Sequence, residues 1–342
     1  MRYIDAFCHF FPKGLWDKIG TLEGAAQGIG KRMAGVPAIY DLDERKRVCD
    51  MFRKKHNYTQ VISLGMPPLE SMGTPAQVEE LAKLANDGLA ELCAKHPDYF
   101  TGWQASLPMN SPNAAKEFER AVKLGTNGIQ IHSNINGDPL DDPKYFPVLE
   151  TAAKLDCPLF LHPSRGAFDL SDYKNESKSK YEIWWTFGWP YETSAAMARL
   201  VFSGTMDKLP NLKVLAHHLG AMVPYFEGRV GPGWDQLGKR THDEDYTTLL
   251  KNMKKRPLEY FKNDFFVDTA VFGSTAATKC GFSFYPIDKI LFASDCPFDP
   301  ERGPGYIRDT IAIMEGLGLS KEDMEKVCHK NAEKLMKIKP QA

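Results

Sequence analysis

The sequence has no surplus of charge of either sign: 43 Lys and Arg stand against 44 Asp and Glu over 342 residues, a formal net charge of −1. That balance removes the electrostatic basis for nucleic-acid binding, which rests on clustered Lys and Arg. No apolar run approaches the ~20 residues needed to span a bilayer, so no membrane partner is expected. There is no Cys-x-x-Cys pair, and the seven cysteines at positions 8, 49, 93, 157, 280, 296 and 328 are scattered and odd in number. This usage fits reduced, mostly buried thiols better than a disulfide framework. The N-terminal MRYIDAFCHFF carries an acid early and runs straight into a strand-like pattern, which makes a poor signal peptide. The expected location is the cytoplasm.

What is present is the composition of a folded globular protein, 43% hydrophobic and 25% charged, long enough to bury a core without staples. Short apolar runs bounded by Gly, Pro, Asn or Asp read as strands at Tyr3–Cys8, Gln60–Leu64, Phe100–Leu107, Gly128–His132, Cys157–His162, Leu212–His217, Phe265–Ala270 and Ile290–Ser294. Helical periods fill most gaps, at Pro75–Lys95, Pro112–Leu124, Phe146–Leu155, Glu192–Leu209 and Ser320–Met336. Alternation of this kind predicts a parallel sheet, and eight strands close a (β/α)₈ barrel. The alternative, a doubly wound open sheet, lacks the Gly-x-Gly-x-x-Gly turn that would support a dinucleotide site. The expectation is one barrel domain over residues 1–342, with loop insertions at about 10–40 and 164–189 that emerge on the C-terminal face of the strands. The second insertion ends in the aromatic cluster Trp184, Trp185, Phe187 and Trp189, a candidate lid.

Polar residues collect at the strand ends: His9, His132, His162, the pair His217 and His218, and Asp295. His and Asp are the ligand types that hold Zn²⁺ or Mn²⁺ with an open position. The remaining histidines, His56, His96, His242 and His329, fall in helix or loop contexts and read as structural.

The segments IDAFCHFFP, PLFLHPS, GWPYETS, LVFSGTMDKLPNLKVLAHHLGAMVPYFEGR and ILFASDCPF resemble the amidohydrolase superfamily. More narrowly they resemble its aminocarboxymuconate-semialdehyde decarboxylase branch, with the γ-resorcylate and 5-carboxyvanillate decarboxylases. The resemblance runs from the first strand to Asn331 and implies a distorted (β/α)₈ barrel. It implies that His162 and Asp295 bind metal, that His218 of the His-Leu-Gly triplet is catalytic with Asp295, and that Arg229 holds a substrate carboxylate. His217, the strand neighbour of His218, is then expected to point away. His132 is a candidate substrate contact.

Strand one departs from the pattern. The family reads Asp-x-His-x-His, or Glu-x-His; here the run is Asp5-Ala6-Phe7-Cys8-His9. Period-two alternation puts Asp5, Phe7 and His9 on one face, so His9 keeps a ligand position and Phe7 fills the other. Two states remain open: one divalent cation, zinc or manganese, on His9, His162 and Asp295, or a metal-free acid/base site. No Lys stands at strand four or five, which argues against a binuclear hydrolase.

The implied activity is non-oxidative decarboxylation of an aromatic or unsaturated hydroxycarboxylic acid. Asp295 would deliver the proton with His218, its pKa raised by a closed aromatic pocket. The alternative is a hydrolase or hydratase acting on a lactone or unsaturated dicarboxylate; a barrel that has lost its chemistry is a third. The partner is a small carboxylate, and family analogy implies a homo-oligomer, a dimer in the first instance.

Overall fold

A computed structural model describes residues 1–22 and 29–340. Eight strands run in chain order around one sheet: β1 (Tyr3–His9), β2 (Tyr58–Ser63), β3 (Phe100–Ser106), β4 (Gly128–His132), β5 (Leu159–His162), β6 (Val214–Ala216), β7 (Phe265–Asp268) and β8 (Ile290–Leu291). Each pairs in parallel with the next. The seam between the chain after β8 and β1 is crossed by Ala6 N–H donating to Phe292 O at 2.9 Å and His9 N–H to Cys296 O at 2.8 Å. These bonds bring the sheet to a nearly closed barrel surrounded by helices, the distorted (β/α)₈ arrangement expected.

Helices Pro75–Lys95 and Phe146–Leu155 have the expected bounds. The first starts at Thr74, whose backbone N–H donates to Gln77 Oε1 at 2.8 Å, a side chain reaching back to an orphan donor. The expected helix Glu192–Leu209 is two helices, Gly188–Phe202 and Thr205–Lys208. Gly204 separates them at φ 74°, a left-handed turn that glycine takes without penalty. The stretch through Ile39, expected to be irregular, holds short helices Lys13–Ile19 and Ile29–Ala34 and a turn at Pro37–Ile39; its residues 23–28 lie outside the described residues. No described helix is long and apolar enough to cross a membrane.

The core has two layers. Outside the barrel, Tyr3, Cys8 and Phe10 pack with residues of the surrounding helices, among them Val78, Leu81 and Leu89. Inside, Ile4, Ala6 and Phe7 meet Val61, Phe160, Leu215 and Leu291. Burying a Phe or Leu side chain fully stabilises a fold by roughly 1.5–3 kcal/mol. Gly128 makes room for this layer, because a Cβ there would lie 2.5 Å from the Phe160 ring. The helix Asn331–Met336 closes the lower mouth with Ala332, Leu335 and Met336, tied down by Asn331 Nδ2 donating to Ile290 O at 2.7 Å.

That Ala6 and Phe7 both face inward reveals a bulge: the register of β1 against β2 shifts between Asp5 and Cys8. An extra residue resets the side-chain phase. Phe7 and His9 still share the inner face, but Asp5 does not join them as strict alternation required. Its carboxylate accepts from Tyr58 Oη at 2.6 Å and Ser294 N at 2.9 Å, and Tyr58 packs in the outer layer. Asp5 is a strut of the barrel wall.

Candidate active site

The C-terminal ends of β1, β5 and β6 carry His9, His162 and His217 into the barrel mouth, all buried. In each, Nδ1 is committed to an acceptor: Leu64 O at 2.6 Å for His9, Pro163 O at 2.7 Å for His162, and Asp268 Oδ2 at 2.6 Å for His217. Nε2 is therefore the ring atom left for a proton or a cation. The Nε2 atoms of His9 and His217 are buried without a hydrogen-bond partner among the described residues, as is Oδ1 of Asp295. That oxygen lies 3.0 Å from His9 Nε2 and 3.6 Å from His217 Nε2. One ring nitrogen from each of His9, His162 and His217 falls within 4.8 Å of the others.

His217 thus faces the site, against the expectation that it points away. Leu215 belongs to the inner layer and Ala216 to the outer, so alternation continued along β6 brings the next residue inward. Counting back from His218 fails because the strand stops at Ala216. His218 and Leu219 then take left-handed backbone angles, φ 57° for both. His218 stacks on His217 with ring centres 3.7 Å apart and bonds Ala270 O through Nδ1 at 2.6 Å. It forms a second group with His217 and Asp295 whose ligand atoms also lie within 4.8 Å of one another. Gly220 completes the turn at φ 71°, where a Cβ would collide with Tyr285 Oη. Asp295 is itself left-handed, at φ 61°. Non-glycine residues held in this region carry strain of order 1–3 kcal/mol, which clusters at functional sites.

Burial opposes charge on every group here, yet the outcome differs by neighbour. His162 is held well below the usual imidazole range by burial and then by the adjacent histidines. His218 falls to about 4 for the same reasons, with His217 the main neighbour. For His217 burial is outweighed by Asp268 and Asp295, which raise it to about 9. Burial would raise Asp295, but His217 and His9 hold it well below the usual carboxylate range. The expected raised pKa of Asp295 is therefore corrected: Asp295 rests as a carboxylate. Converging imidazole nitrogens, an anionic oxygen and unpartnered buried donor atoms fit a divalent cation.

Above this cluster His162 and Asp295 floor a cavity of about 520 Å³. Trp184, Trp185 and Trp189 of the expected lid line it, and Trp189 is pinned by its Nε1 to Arg165 O at 2.9 Å. Phe187 turns to solvent, 68% exposed. Arg229 does not line the cavity of its own chain: it is exposed, 5.8 Å over the Phe226 ring. The cations at the mouth are Lys31, Arg32 and Arg302. His132 stands one ring behind, 5.6 Å from His162, with Nδ1 3.5 Å from Glu70 Oε1, beside a separate small void.

Sequence reasoning missed Asp268 because it lay inside the expected strand Phe265–Ala270, whereas the observed strand ends at Asp268. It bonds His217, the backbone N–H of His218 at 3.2 Å and that of Ala270 at 3.0 Å. Arg32 and Arg302 gave no signal, since only folding brings them to the mouth.

A family model described as Amidohydrolase matches residues 4–338. The γ-resorcylate decarboxylase of Polaromonas sp. (strain JS666) is 31% identical over 307 residues, covering 86% of this chain and 87% of that protein. A solved dihydroxybenzoic acid decarboxylase from Polaromonas sp. JS666, with bound manganese and the inhibitor 2-nitroresorcinol, has a TM-score of 0.75 at 26% identity, covering 99% of this chain and 98% of that one. A 5-carboxyvanillate decarboxylase from Novosphingobium aromaticivorans DSM 12444, with manganese and 4-hydroxy-3-methoxy-5-nitrobenzoic acid, has a TM-score of 0.80 at 25% identity, covering 98% and 96%. The fold, the strand-end cluster and the matched length agree, and the chain belongs to the amidohydrolase family.

Proposed function

We propose that the chain is a carbon–carbon lyase that removes the carboxylate of a hydroxylated aromatic acid as CO₂ without net oxidation. The observation that carries this reading is Asp295, grouped with His217 and His218, at the floor of a cavity walled by three tryptophans. The decarboxylases it resembles over most of its length support the same reaction.

Lys31, Arg32 and Arg302 hold the anionic end of the substrate at entry, because the near-zero net charge supplies no long-range pull. The tryptophans stack on the flat ring and exclude water, which strengthens each charge interaction below. A divalent cation, manganese or zinc, held by His9, His162 and Asp295 would supply positive charge that fixes the substrate's oxygens and eases negative charge on them. Asp295, a carboxylate at rest, takes a proton from the bound acid with His218 beside it and returns it to the ring carbon. As the carbon–carbon bond breaks, its electron pair stays on that carbon and accepts the proton, and the carboxylate leaves as CO₂. His218→Ala and Asp295→Asn each lower turnover of hydroxylated benzoates by at least ~100-fold, measured as CO₂ release. Near-parental rates in both would end this assignment.

The chain is further proposed to work as a homo-oligomer in the cytoplasm. Phe168, Tyr173, Tyr181 and Phe187, all mostly exposed along one insertion, support a contact between copies. Arg229, exposed on its own chain, would then contribute to carboxylate binding only across such a contact. Seven free thiols support a reducing compartment.

A further inference from the structure

We infer that the opposite end of the barrel holds a second binding site, a lysine-lined cavity that takes a compact polyanion bearing two or more phosphate groups. The inference stands apart from the decarboxylase reading, because this cavity shares no lining residue with the one above Asp295.

The cavity, of about 640 Å³, opens among the N-terminal ends of the last strands. Lys213 directly precedes β6, Asp264 precedes β7 and Lys289 precedes β8. Lys154 comes from the end of helix Phe146–Leu155, and Lys254 and Lys255 from the turn before helix Pro257–Asn263. Five lysines thus converge from four chain segments on one concavity, against three aspartates.

Each aspartate is already engaged. Asp156 is held by Lys213 at 2.5 Å and by Lys337 at 3.1 Å. Asp264 accepts from Lys255 with both oxygens at 2.7 Å. Asp207 accepts from Tyr260 Oη at 2.6 Å and from the Lys254 backbone N–H at 3.2 Å. The ammonium of Lys254 is left with a backbone carbonyl, Asp207 O at 2.8 Å. Lys154 and Lys289 have no oxygen partner among the described residues.

Lys289 is the least compensated of these. It is half-buried, and its Nζ rests 4.2 Å from the centre of the Phe266 ring, a contact that orders the stem without neutralising the charge. Burial lowers its pKa, Asp264 opposes this, and Lys334, Lys255 and Lys213 lower it further. A concave surface lined mainly by one sign of charge focuses its field on the space it encloses. An anion seated there relieves both the burial cost and the mutual repulsion of the lysines.

The donor set selects the ligand class. Among the described residues no arginine lines the cavity, so the planar fork that matches a carboxylate is missing. Ammonium groups act as point charges, suited to phosphate oxygens approaching from any direction. The amides of Asn211 and Asn263 add neutral donors. Three ammonium groups without a carboxylate exceed the charge of one phosphate group, about −1.5 to −2 at pH 7, which sets the occupant at two or more.

The test is calorimetric titration of the full chain at low salt, where charge contacts are least screened, with inorganic tripolyphosphate, ATP and citrate as probes. The two phosphate probes are expected to bind one per chain and to displace each other, with citrate at least about tenfold weaker. Lys289→Met keeps the stem on Phe266 and loses the charge. It should weaken tripolyphosphate binding about tenfold, the scale of one charge-assisted hydrogen bond, and Lys154→Met combined with it about 100-fold. Lys123→Met, at an exposed position of helix Ala114–Lys123, should change nothing. Thermal melting confirms that each variant is folded. ATP binding tighter than tripolyphosphate identifies a nucleotide as the source of the phosphates, and the reverse or equality identifies a free polyphosphate; both support the site. Four results overturn it: parental affinity in the double variant, a loss in Lys123→Met as large as in Lys289→Met, citrate as tight as tripolyphosphate, or no binding of either phosphate probe at about 1 mM. CO₂ release from the parent chain judges the decarboxylase reading by itself.

Discussion

Two layers of the barrel interior, a few residues apart on the same strands, have opposite chemistry. The lower layer is apolar: Ile4, Ala6, Val61, Phe160, Leu215 and Leu291 fill the space and are closed off by Leu335 and Met336. The upper layer holds His9, His162, His217 and Asp295, with buried polar atoms that have no hydrogen-bond partner among the described residues and Asp295 in a left-handed conformation. The lower layer gains stability from burial. The upper layer gives some up, since unpaired buried polar groups and strained backbone both oppose folding. One fold can hold such a site because the layer beneath it is well packed.

The contrast can be broken from either side. The largest effect is expected at the bottom: Phe160→Ala should destabilise by ~3–5 kcal/mol in urea unfolding, while CO₂ release per folded molecule stays within about tenfold. In the upper layer the larger effect is on activity. Asp295→Asn costs at least ~100-fold in turnover, or about 2.7 kcal/mol, and should lower the melting temperature by less than Phe160→Ala does, because it removes a carboxylate that the buried His217 and His9 favour. A fall in melting temperature as large as that of Phe160→Ala would mean that the upper layer serves stability as much as the lower. Asp268→Asn comes next, with an expected ~10–100-fold loss of Mn²⁺ affinity, restored in part by Asp268→Glu. The smallest effect is expected outside both layers: Phe187→Ser, at an exposed position, should change unfolding free energy by no more than ~0.5 kcal/mol.

Much of the lower layer was legible in the sequence, and less of the upper. Strand β4 and the helices Pro75–Lys95 and Phe146–Leu155 have the expected bounds, since period and end signals there are local. His9 stands 3.0 Å from Asp295, and His162 groups with His9 and His217, near the strand ends from which they were read. The face of Asp5 was misread because the β1 bulge is defined only by pairing with β2. The orientation of His217 was misread because β6 ends one residue earlier than the apolar run suggests, and the chain then turns left-handed. Arg229 was assigned to the cavity by its motif, but a motif does not say which surface a side chain covers.

The sequence by itself determined the eight alternating strands, the barrel and the strand ends that carry chemistry, because hydrophobic period and turn residues act over a few positions. Tertiary structure decided which of two adjacent histidines reaches the centre, which carboxylate holds it and which cations stand at the mouth. Those outcomes depend on strand register, on left-handed residues at His218 and Asp295, and on chain segments far apart in sequence meeting at one rim. A one-residue change in strand phase is enough to reverse them.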